Sequence, residues 1–150
     1  LKKVSVLFLS IITVVILLTG CNLNDKDKSF DWNESIEKSK KIEVVLPGDS
    51  KAAVTIIDSE EIENFVESLK VNEWKLADKP LQAEEQAKYI LYQADTVHLG
   101  ESNKDNTELI EIAYIVTYKD IPYIDLRIKN VSLSFKVPDD VSSYLFNISK

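Results

Sequence analysis

Few side chains in this sequence have the type and spacing for chemistry. His98 is the only histidine and Cys21 the only cysteine. A Ser–His–acid triad would have to use His98, yet no Gly-x-Ser-x-Gly elbow presents a serine to it. His98 stands between Val97 and Leu99 in a short β-rich run, where alternation turns its side chain away from theirs. It reads as a surface histidine, and a hydrolase pairing His98 with Asp or Glu is the alternative. Glu60-Glu61, Glu84-Glu85 and Asp139-Asp140 have the composition of paired glycosidase carboxylates. Each lies where a helix is expected to begin or to show its outer face, so capping or solvation accounts for them.

Metal and nucleotide patterns fit no better. A structural zinc site needs four Cys or His ligands. Phosphate loops need clustered glycines, whereas Gly48 and Gly100 are far apart. "DKDKSFDWNE", residues 25–34, alternates acids as a calcium loop does, but lacks the central Gly and the twelfth-position Glu. It reads as a solvated tether. No cofactor and no catalytic residue is expected.

One constellation remains. If Lys119-Asp120 is a two-residue turn, Tyr118 pairs with Ile121, Val116 with Tyr123 and Tyr114 with Asp125. Tyr114, Tyr118, Tyr123, Asp125 and Arg127, the only arginine, then share one face with Ile112. Tyrosine and arginine are common interface anchors, so this face is the candidate binding surface. The plainer reading packs Tyr118 and Tyr123 under a helix or loop and leaves Asp125 and Arg127 exposed. The opposite face, Ala113, Ile115, Ile124, Leu126 and Ile128, reads as core.

The elements that position these residues follow from periodicity. Ile42–Leu46 and Ala53–Ile57 read as a hairpin around Pro47-Gly48-Asp49. Asp58 with Glu61 forms a capping box, and Ile57 with Ile62 a hydrophobic staple. Ile62, Phe65, Val66 and Leu69 make one helical stripe, Lys70 sits in its last turn, and Trp74 is expected to pack on the core. Residues 80–87 suit a short helix or a loop. Tyr89–Tyr92 and Thr96–Leu99 read as strands around Gln93-Ala94-Asp95, before a polar loop at 100–108. Val131, Leu133, Phe135 and Val137 alternate with polar residues as a half-buried strand does. After Pro138, Asp139 or Asp140 caps a helix with Val141, Leu145 and Ile148 inward. The expected fold is α+β, a mostly antiparallel sheet with two helices packed on one face.

Lys2-Lys3 and the apolar run Val4–Leu18 have the layout of a secretory signal. Leu18-Thr19-Gly20-Cys21 resembles the lipobox of bacterial lipoproteins, and the whole chain resembles small lipoproteins of Gram-positive bacteria. Leu1 in the initiator position and the wealth of Lys, Ile, Asn and Glu agree with a low-GC Gram-positive source. The lipobox resemblance covers residues 1–21 only. It implies a signal peptide at 1–20, a diacylglyceryl group on the Cys21 thiol, and a mature chain on the extracytoplasmic face of the cell membrane. Two acyl chains hold a protein on a bilayer stably. An uncleaved anchor helix with an incidental Cys21 is the alternative. Residues 21–41 then form the lipidated Cys21 and a tether of roughly 25 Å reach, in which Phe30 and Trp32 dock on the domain or at the membrane interface. Residues 42–150 form the single domain.

The chain carries 18 basic and 25 acidic side chains, a net charge of −7. Losing Lys2 and Lys3 leaves 16 against 25, a net of −9. That excludes nucleic acid as a partner and disfavours an anionic lipid surface. The expected function is a non-enzymatic, membrane-anchored binding module for an envelope or extracellular protein. An acidic decoy for a cationic extracellular protein or peptide is the second reading, and the hydrolase using His98 the third.

Overall fold

The computed structural model describes residues 36–95 and 108–150. Lys41–Val45 (β1) and Ala52–Ile56 (β2) form the expected hairpin, with Ile42 opposite Ile56 and Val44 opposite Val54. Pro47 presets φ at the second turn position and Gly48 takes φ +88° at the third, as a type II turn requires. The Asp49 N–H closes it on the Leu46 carbonyl at 3.1 Å. The domain starts earlier than residue 42. Ile36 is fully buried in the core and Ser39 is buried beside it, so at least residues 36–41 belong to the domain and not to a tether. A fully buried aliphatic side chain binds its backbone to the core however polar its neighbours are.

Asp58 caps helix α1, Ser59–Ser68. Its Oδ1 accepts from the N–H groups of Glu60 (3.0 Å) and Glu61 (3.1 Å), which have no carbonyl partner within the first turn. Ile62, Phe65 and Leu69 are buried as the stripe requires. Ile57 is 69% exposed and does not staple the helix. Lys70 leaves the helix in the left-handed region, φ +45°, and pairs with Asp140. The Trp74 indole N–H donates to the Leu69 carbonyl at 2.6 Å, and its ring meets Phe135 at 5.6 Å. Lys75–Leu76 (β3) follows.

A single ten-residue strand, Glu85–Ala94 (β4), replaces the expected helix or loop at 80–87 and the expected turn at Gln93-Ala94. Pro80–Ala83 is only a turn, closed by the Ala83 N–H on the Pro80 carbonyl. Leu109–Tyr118 (β5) pairs Glu85 with Tyr118 and Ala87 with Thr117, leaving Gln86 as a bulge, and β1 pairs with Lys88–Tyr92, so strand pairing overrides the helix propensity of this stretch. The strand expected at Thr96–Leu99 lies outside the described residues.

The Lys119-Asp120 turn is also different. β5 and Tyr123–Ile128 (β6) pair Tyr114 with Arg127, Val116 with Asp125 and Thr117 with Ile124. Residues 119–122 connect them, with Asp120 at φ +56°. The expected register would set Pro122 in the ladder opposite Thr117, where it has no N–H to donate. Pro122 instead stays outside, and its carbonyl accepts from the Val137 N–H at 2.9 Å. The slip is two residues, so every side chain keeps its face. Ile112 does not. It bulges between Glu111, opposite Tyr92, and Ala113, opposite Leu91. Ile112 therefore packs against the core, not beside Tyr114.

Val131–Lys136 (β7) and helix α2, Asp139–Ile148, complete the fold. Pro138, not an aspartate, occupies the cap position. Asp139 and Asp140 are the first two helical residues, where their charge suits the helix dipole. The seven strands form one antiparallel sheet in the order β2-β1-β4-β5-β6-β7-β3. Both helices pack on one face, giving the α+β class. Phe65 of α1 meets the Tyr89 ring of β4 at 5.8 Å and the Tyr144 ring of α2 at 6.1 Å. The Tyr89 hydroxyl donates to the Leu145 carbonyl of α2.

Burial pushes the Tyr89 phenol up to about 12. A raised phenol keeps its proton better in the folded state. Its contribution is complete below about pH 10 and is lost as pH rises through about 12. Urea unfolding should therefore show wild-type stability falling between pH 10 and 12, with about 3 kcal/mol of the fall coming from the two-unit Tyr89 shift. Tyr89→Phe should cost about 1 kcal/mol at pH 7 and shallow this alkaline slope. An identical slope in the variant would remove Tyr89 as its source.

Candidate binding face

The sheet face turned away from the helices carries the expected constellation. Cross-strand partners place Lys88, Val116, Asp125 and Ser134 in one row. Ile90, Tyr114, Arg127 and Ser132 form the next. A third row runs Tyr123, Lys136, Lys75. The face is only partly open. Val116 and Tyr118 are buried although they lie on the side away from the core.

The connection from β3 to β4 explains part of that covering. The Ala77 N–H donates to the Ser134 carbonyl at 3.1 Å, and the Lys119 N–H to the Glu84 carbonyl at 2.9 Å. Between these ties, Lys79 reaches down to Asp125. Asp125 is only 2% exposed. Its Oδ2 accepts from Lys79 Nζ and from the Tyr118 hydroxyl, both at 2.6 Å, and its Oδ1 from Ser134 Oγ at 2.6 Å. Burial alone would push the carboxyl up, but Lys79, Ser134 and Tyr118 outweigh it and hold it below the usual carboxylate range. Asp125 in turn raises Lys79, and burial followed by Asp125 raises the Tyr118 phenol. Each donor satisfies the carboxylate, so the group acts as a latch for residues 77–84.

Beside the latch the surface is accessible. Lys88 Nζ sits 4.1 Å from the centroid of the half-buried Tyr114 ring, and Arg127 Cζ 5.6 Å from it. Arg127 Nη1 donates to the Tyr114 hydroxyl at 3.2 Å, while Arg127 Nε is buried without a hydrogen-bond partner. Two cations thus share one aromatic ring, an arrangement favoured by its quadrupole. Towards β1, Glu43 accepts from Lys41 (2.9 Å) and from the Tyr92 hydroxyl (2.7 Å). Burial, then Glu43, pushes that phenol up to about 12.

Of the five residues expected on this face, all five are there. Tyr118 and Asp125 belong to the buried latch, so Asp125 is not exposed. Tyr114, Tyr123 and Arg127 are half-buried at the surface. Sequence reasoning missed Lys79, Lys88, Lys41 and Glu43. Alternation along β4 signals Lys88 once the strand is known, but nothing local signals Lys79. His98 and Cys21 lie outside the described residues. Elsewhere, a groove of about 650 Å³ runs between α1 and residues 36–40, walled by Ile36, Ile57, Ile62 and Val66; none of the five lines it. Among the described residues no three His, Cys, Asp or Glu side chains gather as metal ligands, and no helix is long and apolar enough to cross a membrane.

Lys79→Ala leaves a buried carboxylate without its cation. Because Lys79 is itself 31% exposed, the expected loss is about 1–3 kcal/mol at neutral pH. Adding Asp125→Asn should recover part of it. A carboxyl held low contributes above about pH 4 and loses that contribution as pH falls through its lowered value. The gap between wild type and Lys79→Ala should therefore narrow below about pH 4. Denaturant curves at neutral and acid pH read both effects, and a pH-independent gap would rule out the charge pairing.

No protein-family model, curated protein or solved structure matches the chain.

Proposed function

We propose that this chain is a lipid-anchored binding module of the cell envelope. Cys21 carries the anchor, and the sheet face away from the helices meets a protein partner. The observation that carries the reading is Tyr114, flanked by Lys88 and Arg127 at a half-buried, accessible position. Tyrosine and arginine are enriched among the few residues that dominate measured interfaces. The anchor rests on the lipobox resemblance at Leu18–Cys21 and the apolar run before it. A second reading, an acidic decoy for a cationic protein, draws on the exposed Glu60, Glu61, Glu63 and Glu67 of α1.

Labelled palmitate fed to cells expressing the full-length chain should enter wild type and not Cys21→Ser. Equal labelling of the two would exclude Cys21 as the anchor. The tagged full-length chain, captured from membranes with its neighbours, should recover a prey at moderate salt. A folded Tyr123→Ala, Arg127→Glu variant should lose it. Undiminished recovery would set the face aside, and a basic prey lost only with salt would favour the decoy.

A further inference from the structure

We infer that the groove beside α1 is a second binding site, for a short cationic amphipathic polypeptide segment. The site is separate from the sheet face. It rests on the second reading, the acidic decoy, and gives that reading a defined place. The groove, about 650 Å³, lies between α1 and residues 36–40, a size usual for ligand pockets. Ser59, Ile62, Glu63, Val66 and Glu67 line it from the helix. They recur at i, i+3, i+4, i+7 and i+8, one side of a helix. The groove therefore follows α1 from Ser59 to Glu67, about 12 Å.

Its lining combines apolar surface, an excess of acid and one unmet hydrogen bond. Ile57 is 69% exposed, and Val66 and Val71 are half-buried. Three exposed carboxylates line the groove, Glu63 and Glu67 from α1 and Glu37 from the other wall, and none is in an ion pair among the described residues. The cations that line it are Lys40 and Lys70, and Lys70 is already paired with Asp140. Next to these residues in the chain stand Asp58, Glu60, Glu61 and Glu73 against Lys38, so the acid excess extends beyond the lining. Ser39, 4% exposed, also lines the groove, and its Oγ is buried with no hydrogen-bond partner. A buried polar group without a partner is costly. A serine changes rotamer about a single bond, so a polar group entering the groove can supply the missing partner.

The spacing selects the ligand. Glu63 and Glu67 are about 6 Å apart along the helix axis, and Glu37 belongs to the other wall. A single ammonium group meets only part of this set. A chain with Lys or Arg every few positions meets all three, while its apolar side chains cover Ile57, Val66 and Val71. Amphipathic segments bind grooves in this way, with the apolar face inward and charge at the rim. A wholly apolar ligand would leave the carboxylates against hydrocarbon, which is costly. An anionic ligand would meet net repulsion. Apolar surface and charge therefore point to the same class of partner.

The test uses the full-length chain in phosphatidylcholine nanodiscs, which carry no net charge and no free detergent to fill the groove. The probe is an amphipathic peptide of leucine and lysine, about twelve residues and about 18 Å long as a helix. Oligolysine and the same peptide with glutamate for lysine are the comparison ligands, and empty nanodiscs measure binding to lipid. Amide chemical shifts locate binding. The leucine–lysine peptide should shift α1 and residues 36–40, and keep part of its affinity at moderate salt, where oligolysine loses its own. Glu63→Lys, Glu67→Lys should weaken it by about tenfold, equivalent to about 1.4 kcal/mol. Both side chains are exposed and outside the ion pairs, so this variant should melt as wild type does. Ser39→Ala removes the unpaired hydroxyl, so it should melt no lower than wild type and still bind more weakly. Shifts confined to the sheet face, equal binding of the glutamate peptide, or undiminished binding by the Glu63→Lys, Glu67→Lys variant would each overturn the inference. Oligolysine binding as tightly as the amphipathic peptide would overturn the groove and leave the decoy reading standing. No binding of either cationic ligand at low salt would remove both.

Discussion

The fold depends most on what Tyr89 requires. It lies in the central region of the sheet on β4, fully buried, and a buried hydroxyl without a partner is costly. Its partner is the Leu145 carbonyl in α2, so the C-terminal helix has to return across the sheet to lie over β4. The same ring packs against Phe65 of α1. One side chain thus sets where both helices lie, and aromatic contact adds about 1 kcal/mol beyond burial. The Lys70–Asp140 pair joins the helices at the surface, where such pairs add little.

The other face is organised by a second buried polar group. β2 and β3 lie at opposite edges, so α1 carries the chain from one edge to the other on the helical side. The return from β3 to β4 passes β7, β6 and β5, and Lys79 of that connection finds Asp125. A buried carboxylate demands a cation and hydrogen-bond donors, and Lys79, Tyr118 and Ser134 supply them. The chain therefore encircles its own sheet, with hydrocarbon packing on one side and a polar latch on the other. What the latch leaves uncovered is the tyrosine, lysine and arginine surface to which binding is assigned. Stability and recognition share this face, because Asp125 and Arg127 alternate along one strand with Leu126 pointing into the core.

The candidate face was readable from the sequence for a simple reason. Strand side chains alternate with period two, so Tyr114, Tyr123, Asp125 and Arg127 share a side whichever even register the hairpin takes. The turn was not readable, since Pro122 decides it by lacking an N–H. Ile112 escaped alternation because a bulge in the ladder with β4 reverses the side chain there. Residues 80–94 misled because Glu85, Gln86 and Ala87 favour helix, while pairing of Glu85 and Ala87 with β5, continuous with the doubly paired stretch Lys88–Tyr92, overrode that weak preference.

What the sequence determined by itself is local: the Asp58 cap, the α1 stripe, the Pro47-Gly48 turn, the alternation of β5 to β7, and the lipobox resemblance at Cys21. Each rests on residues a few positions apart, whose geometry the backbone dictates. Only the tertiary structure decided that Ile36 belongs to the core and that Lys75 faces Lys136. It also decided that Lys79 closes over a carboxylate 46 residues further along the chain. Those pairings join distant segments, and their energy exists only once the sheet has brought both partners out of water together.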